Sequence, residues 1–291
     1  MKIKNIKING LYNKYDITFA LHEDVNILSG INGSFKTTLL QIINNTLNTI
    51  EVKQSSDYQR VEFCFTNDYK LSLDKVGVGI STPCEVIDPS KLPETLQKKL
   101  HLSLISTNDI KFQTSGDKSV LDTQLEKLQS EYGYYLSELS KRMLDTVQAE
   151  GKIDQEKVKE IYRANDMFKS IIGTAFKETG KRLNAEKSKL EFIFDTDGSS
   201  IYADGLSAGE KQLLIILLTI LMQDEKEHIV LMDEPEISLH ISWQYELLNW
   251  IRQINPNVQI ITTTHSPMIF GSGWGDKVVY MENILSDATA K

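Results

Sequence analysis

The feature that most constrains this chain is a short apolar run, residues 25–28, leading into Gly30-Ile31-Asn32-Gly33-Ser34-Phe35-Lys36-Thr37 and then into helical spacing over residues 37–47. A strand, a glycine-containing loop and a helix in that order spell a phosphate-binding loop. The first helical turn leaves N–H groups unpaired and carries the positive end of the helix dipole, so backbone amides there cradle phosphate oxygens. Lys36 adds a positive charge, and Thr37 a hydroxyl suited to magnesium. The expected nucleotide-binding set is Gly30, Asn32, Gly33, Ser34, Phe35, Lys36, Thr37 and Thr38. Phe35 departs from the pattern, because glycine normally precedes the lysine where positive φ or close phosphate approach is needed. A strained loop and slow turnover are the expected consequences.

The second feature is Ile229-Val230-Leu231-Met232-Asp233-Glu234, four apolar strand residues ending in two acids. Alone, such a strand end is a solvated turn; paired with a phosphate loop it becomes chemistry. Asp233 is expected to hold magnesium through water, and Glu234 to orient or deprotonate an attacking water.

Composition narrows the class. At 291 residues the chain is long enough to bury a substantial core without staples. Its two cysteines, Cys64 and Cys84, show neither a paired framework nor metal-ligand spacing, which fits reduced thiols in a cytosolic protein. The amino-terminal MKIKNIKING alternates like a strand, and no segment reaches membrane-spanning length without charge, so a cytoplasmic location and no membrane contact are expected. A net charge of -8 weakens any broad DNA-binding surface, leaving nucleic acid open but unsupported.

Periodicity gives an outline. Residues 2–9, 16–20, 61–66, 69–74 and 84–88 read as strands of an antiparallel flank beside the loop, and residues 101–105 as a further strand whose polar exit, from Ser106 to Asp109, faces the nucleotide. From residue 118 to 190 the apolar positions fall by threes and fours: Leu121, Leu125, Leu128, Tyr132, Tyr135, Leu139 and Met143, then Ile161, Phe168, Ile171 and Phe176 after a polar turn at Gly151. This predicts an antiparallel helical hairpin of ordinary packing, with arms of about 40 Å at the standard rise. Strands at residues 229–232, 258–263 and 277–281 and a helix over 243–251 complete a parallel α/β core. The expected domains are 1–116, 117–190 for the helical lobe, and 191–291.

Leu206-Ser207-Ala208-Gly209-Glu210-Lys211-Gln212, followed by an apolar helix, resembles the signature loop of the ABC-ATPase superfamily. That resemblance implies an α/β fold of ABC-ATPase type: a nucleotide-binding domain with an antiparallel β flank and an inserted helical lobe. It implies ATP and Mg²⁺ as cofactors, with Ser207 and Gly209 meeting the γ-phosphate held by a partner subunit. With one phosphate loop and one signature per chain, two copies head to tail would make two composite sites. The run from Asp233 to His240, DEPEISLH, and the run from Thr263 to Pro267, TTHSP, resemble the RecF, SMC and OLD side of the superfamily rather than membrane transporters. By analogy His265 senses the γ-phosphate, and His240 lies in a subunit-contact loop or simply starts a helix. Gln113, Asn108 and Asp109 are alternatives for the loop linking nucleotide to lobe, and Tyr12 or Tyr15 for stacking on adenine.

The implied function is an ATP-driven dimerisation switch in which Glu234 and His265 are catalytic, Thr37 and Asp233 hold the metal, and a separate effector protein carries the output. The resemblance extends to small OLD-related ATPases of bacterial antiphage defence. The alternatives are a RecF-like DNA-maintenance ATPase, and a nucleotide-held scaffold with little turnover.

Overall fold

The computed structural model describes residues 1–48, 57–74, 78–81, 100–106, 119–184 and 190–288. The expected strand at 84–88 and the linking-loop candidates Asn108, Asp109 and Gln113 lie outside these residues, as does Cys84. The chain divides into two compact units, each discontinuous in sequence: Met1–Thr107, Glu227–Pro235 and Asn257–Lys291 in the first, Asn108–Lys226 and Glu236–Pro256 in the second. Among the described residues no helix is long and apolar enough to cross a membrane.

Two sheets build the first unit. One is antiparallel: β1 (Ile3–Leu11), β2 (Tyr15–Ala20), β4 (Arg60–Phe65), β5 (Lys70–Asp74), β6 (Val78–Ser81) and β14 (Leu285–Asp287), in the order β14-β2-β1-β4-β5-β6. Its alternation is the expected one, with Ile3, Ile6, Ile8, Ile17, Val61, Phe63, Phe65, Leu71 and Leu73 all buried. The other sheet is wholly parallel: β3 (Val25–Ser29), β7 (Leu102–Ser106), β11 (His228–Asp233), β12 (Val258–Thr263) and β13 (Val278–Tyr280), ordered β13-β3-β12-β11-β7. The strands at its centre, β12 and β11, are buried at every residue but His228, as a sheet covered on both faces requires. Helix α1 (Lys36–Leu47) adds Leu39, Leu40, Ile42 and Ile43 to one continuous apolar cluster with both sheets.

One buried amide joins the sheets, and a second braces the connection between them. Gln259 of β12, fully buried, accepts from the Ile3 amide at 2.8 Å and donates to the Ile3 and His22 carbonyls at 2.7 and 2.8 Å. Asn26 of β3 accepts from the His22 amide at 2.7 Å and donates to the carbonyls of His22 and Ile260 at 2.9 and 3.3 Å. Both side chains sit where a hydrocarbon would be expected, and both use their two N–H donors and their carbonyl oxygen on backbone groups.

The second unit carries α2 (Val120–Glu150), α3 (Gln155–Lys177), α4 (Ala208–Leu221) and α5 (Ile241–Ile254). Ser119 and Asp154 cap the first two helices, and Gly151 ends α2 in the left-handed region. The hairpin is antiparallel: Tyr132 donates to Asn165 at 2.9 Å and packs its ring on Phe168. Helix α4 is buried on almost every face, so it runs as the spine of the unit. Residues 181–183 depart from the helical reading. Together with residues 191–194 and 200–202 they form a small antiparallel sheet, β8 (Lys181–Leu183), β9 (Glu191–Phe194) and β10 (Ser200–Tyr202). Phe192 of β9 stacks on Phe176, which also stacks on Trp243, so the sheet is held by aromatic packing that its short strands do not reveal in sequence. Helix α5, read with the carboxy-terminal strands, groups with this unit, where Arg163 donates to the Gln253 and Ile254 carbonyls at its end.

Replacing Gln259 by leucine keeps the volume but removes the side-chain partner of the Ile3 amide and of the Ile3 carbonyl, while the His22 carbonyl keeps its bond from Asn26. The stability expected to be lost, read by urea denaturation, is about 2–4 kcal/mol; an unchanged midpoint would show that β1 is held by its ladder alone. A second prediction concerns acid. Burial, with His101 adding to it, depresses the His228 pKa to about 4 from its usual 6.5. The unfolded chain therefore takes up this proton first, and stability falls as pH drops from 6.5 towards 4. The carboxylates whose pKa values are held down, such as Glu210, give up their contribution only below about 4.5. Between pH 7 and 5 the urea midpoint should fall in the native protein and fall less in His228→Gln.

Candidate functional site

All five parallel strands end at one edge, so the segments that follow them meet there. After β3, Gly30 and Gly33 take φ 153° and 81°, and the loop turns into α1. Lys36 reaches back to the Gly30 and Ile31 carbonyls at 3.0 and 3.1 Å, closing the loop around its own ammonium. No side chain caps the start of α1, and its first turn carries no acid. Among the described residues the buried Ser34 hydroxyl has no hydrogen-bond partner. Uncapped amides, a positive dipole end and an orphaned hydroxyl fit an anion with several acceptor oxygens.

Phe35 stands at φ 66°, ψ 21°, in the left-handed region, as the strain expectation for a non-glycine residue here required. Such a conformation costs about 1–2 kcal/mol. Its ring is gripped by Tyr12 and Tyr15, with centroids at 5.6 and 5.4 Å, and packs against the core, which offsets that cost. Of the two tyrosines, Tyr12 is half exposed and lines the cleft, while Tyr15 backs Phe35.

Strand β11 delivers the acids. Buried Asp233 accepts from the Thr37 hydroxyl at 3.0 Å and from the Thr263 hydroxyl at 2.6 Å on the same oxygen, Oδ1. Glu234 follows at φ 50°, its amide donating to the carbonyl and hydroxyl of Thr263 at 3.2 and 3.1 Å. After β12, Thr264 donates its amide to Leu28, Ser266 caps the short turn Pro267–Phe270, and His265 is left projecting between these fixed points. Its Nε2 lies 3.5 Å from Glu234 Oε1. The result is an open cleft of about 430 Å³ lined by Tyr12, Asn32, Gly33, Ser34, Phe35, Lys36, Thr37, Thr38, Glu234 and His265. Gly30 and Asp233 support it from behind through Lys36 and Thr37. Ser106, the only described part of the polar exit of β7, pairs in register with Asp233 at the same edge.

Ser207 and Gly209 belong to the second unit. Ser207 caps α4 in a reciprocal capping box with Glu210, and Glu210 also receives Thr179 at 2.6 Å and Lys181 at 2.8 Å. Burial alone would raise the Glu210 pKa; the hydrogen bonds from Lys181, Thr179 and Ser207 outweigh it and hold the carboxyl below its usual range. Gly209 lies against the Ser238 carbonyl, which a Cβ would meet at 2.2 Å, so close backbone approach alone requires glycine there. His240 caps α5, its Nδ1 2.8 Å from the Ser242 hydroxyl.

Sequence reasoning gave no role to Thr263, which holds both acids. The available signal was a pair of threonines closing a buried strand whose other polar residue is Gln259.

A parallel sheet with a glycine-containing loop, strand-end acids and a histidine at one edge, together with an antiparallel flank and a separate helical unit, is the fold of the ABC-type ATPases. The chain belongs to the family described as "AAA domain, putative AbiEii toxin, Type IV TA system", which matches residues 91–270. It is 30% identical over 147 residues to the retron Ec83 probable ATPase of Escherichia coli, covering 46% of this chain but 27% of that protein. To the Septu protein PtuA of Bacillus thuringiensis it is 22% identical over 303 residues, covering 91% of this chain and 72% of the relative. The SMC head domain from Thermotoga maritima shares the fold with a TM-score of 0.52 at 14% identity, covering 94% of this chain and 92% of that one. An Smc head bound to the C-winged helix domain of ScpA does so with a TM-score of 0.57 at 14% identity, covering 96% and 94%.

Thr263→Val removes the 2.6 Å bond to Asp233 and one acceptor of the Glu234 amide. Urea denaturation should show a loss of about 1–3 kcal/mol, with Thr263→Ser close to native. A native-like Thr263→Val beside a destabilised Thr263→Ser would mean that the methyl group, not the hydroxyl, is what matters.

Proposed function

We propose that the cleft binds ATP with Mg²⁺, that the chain hydrolyses it, and that the nucleotide joins two copies head to tail. The observation that carries this reading is the single edge on which Lys36, Thr37, Asp233, Glu234 and His265 meet. Lys36 and the amides opening α1 hold the β- and γ-phosphates. Thr37 and Asp233 would hold the magnesium, which neutralises charge building on the phosphate oxygens. Glu234 orients the attacking water and takes its proton, and His265, 3.5 Å away, contacts the γ-phosphate. Ser207 and Gly209 supply the second half of the site to a partner copy, with the amino terminus of α4 adding its positive end.

The relatives named for a retron and for Septu support a cytoplasmic role as the ATPase subunit of an antiphage defence system, with a separate effector protein carrying out the damage. Phe35 favours a second reading of the output. A left-handed, aromatically clamped residue in the phosphate loop suits an ATP-held scaffold that turns over slowly.

Phosphate release and dimer mass by light scattering decide between these. Glu234→Gln should lower kcat by about 10²–10⁴ and accumulate an ATP-dependent dimer. ATP-dependent dimerisation of the native chain with no phosphate release would select the scaffold. Native turnover in Glu234→Gln would remove Glu234 from the reaction, and a monomer under all conditions would remove the head-to-tail pair.

A further inference from the structure

Glu282 belongs to none of the recognised motifs, yet its Oε1 accepts the Ile31 amide of the phosphate loop at 2.9 Å. Topology brings it there. Strand β13 pairs with β3 so that Tyr280 stands opposite Ser29. Fully buried Met281 then anchors the four-residue helix α6 (Met281–Ile284), and β14 leaves beside β2. The short helix is thus pinned at one end to the parallel sheet and at the other to the antiparallel sheet.

The Ile31 peptide is held from both sides. Its N–H goes to Glu282, while its carbonyl, with that of Gly30, accepts from Lys36 at 3.1 and 3.0 Å. Gly30 is what admits the carboxylate, since a Cβ at that position would lie 2.9 Å from Glu282 Oε1. The Ile31 hydrogen bond favours the ionised carboxylate and lowers its pKa, with a smaller contribution from Lys36.

We infer that Glu282 is a positioning residue for the phosphate loop: it fixes the Ile31 peptide whose carbonyl orients the Lys36 ammonium towards nucleotide phosphates. It acts through Ile31 rather than on the nucleotide, and the role rests on the reading of the cleft as an ATP site. Two opposing effects meet in this carboxylate. As an acceptor it organises the loop; as an anion it repels phosphates. The hydrogen bond at 2.9 Å is short-ranged and specific, whereas the charge is exposed and screened by solvent, so the acceptor role dominates.

The test is titration of the full chain with magnesium and a non-hydrolysable ATP analogue, comparing native protein, Glu282→Ala and Glu282→Gln, with thermal midpoints and steady-state kinetics alongside. Glu282→Ala should bind about tenfold more weakly, and Glu282→Gln, which keeps an acceptor oxygen, within about twofold of native. Midpoints should be unchanged, and KM for ATP should rise in Glu282→Ala with kcat retained. Native or tighter binding by Glu282→Ala overturns the inference, as does a Glu282→Gln variant as weak as alanine, or a midpoint that falls in both. If the native chain itself binds no analogue, the nucleotide reading fails, and the positioning role with it. If native and alanine proteins bind equally, only the positioning role fails.

Discussion

One carboxylate oxygen ties the site together. Asp233 Oδ1 accepts from Thr37, at the start of the helix after β3, and from Thr263, the last residue of β12. Three segments far apart in sequence are thereby locked at the edge where their strands end in register, Asp233 opposite Thr263 and Thr263 opposite Leu28. The acid is buried, so these donors also satisfy a group that would be expensive to leave unpaired. Everything that gives the cleft its shape follows from that alignment: the loop closed on Lys36, the turn carrying Glu234, and His265 between a strand end and a capped turn.

Further inside, the first unit depends on polar groups placed where apolar ones would fold more simply. Gln259 joins the parallel sheet to the antiparallel one through the backbone of β1, and Asn26 ties β3 to the turn around His22 between the two sheets. Strand pairing alone cannot do this, because among the described residues no ladder connects the two sheets.

Phe35 and Gly209 show how similar sequence signals acquire different physical meanings. At Phe35 a bulky residue occupies a conformation suited to glycine, and three rings packed together offset its strain. At Gly209 the backbone is unstrained, and glycine is required because the Ser238 carbonyl touches its Cα face. In the same unit Ser207 and Glu210 satisfy one another across the first turn of α4, and Lys181 and Thr179 complete the carboxylate, so the signature segment is ordered by its own unit.

Much of this was legible from sequence because it is local. Strand-loop-helix order identified β3, α1 and the loop between them; alternation identified β1, β2, β4 and β5; helical spacing identified the hairpin; four apolar residues before two acids identified β11. These patterns arise from the period of a single element, which the chain carries wherever it folds. The small sheet of β8, β9 and β10 escaped because its strands are too short for periodicity and are held by Phe176 and Trp243 from elsewhere in the chain. The placement of α5, the bracing of Asp233 by Thr263, and the arrival of Glu282 at Ile31 were likewise invisible, since each pairs residues through strand order rather than spacing. By itself the sequence determined which residue types stand in the loop and at the strand ends. Only the tertiary structure decided which of them share a hydrogen bond, because parallel strands bring distant ends to one edge and sequence separation carries no record of that register.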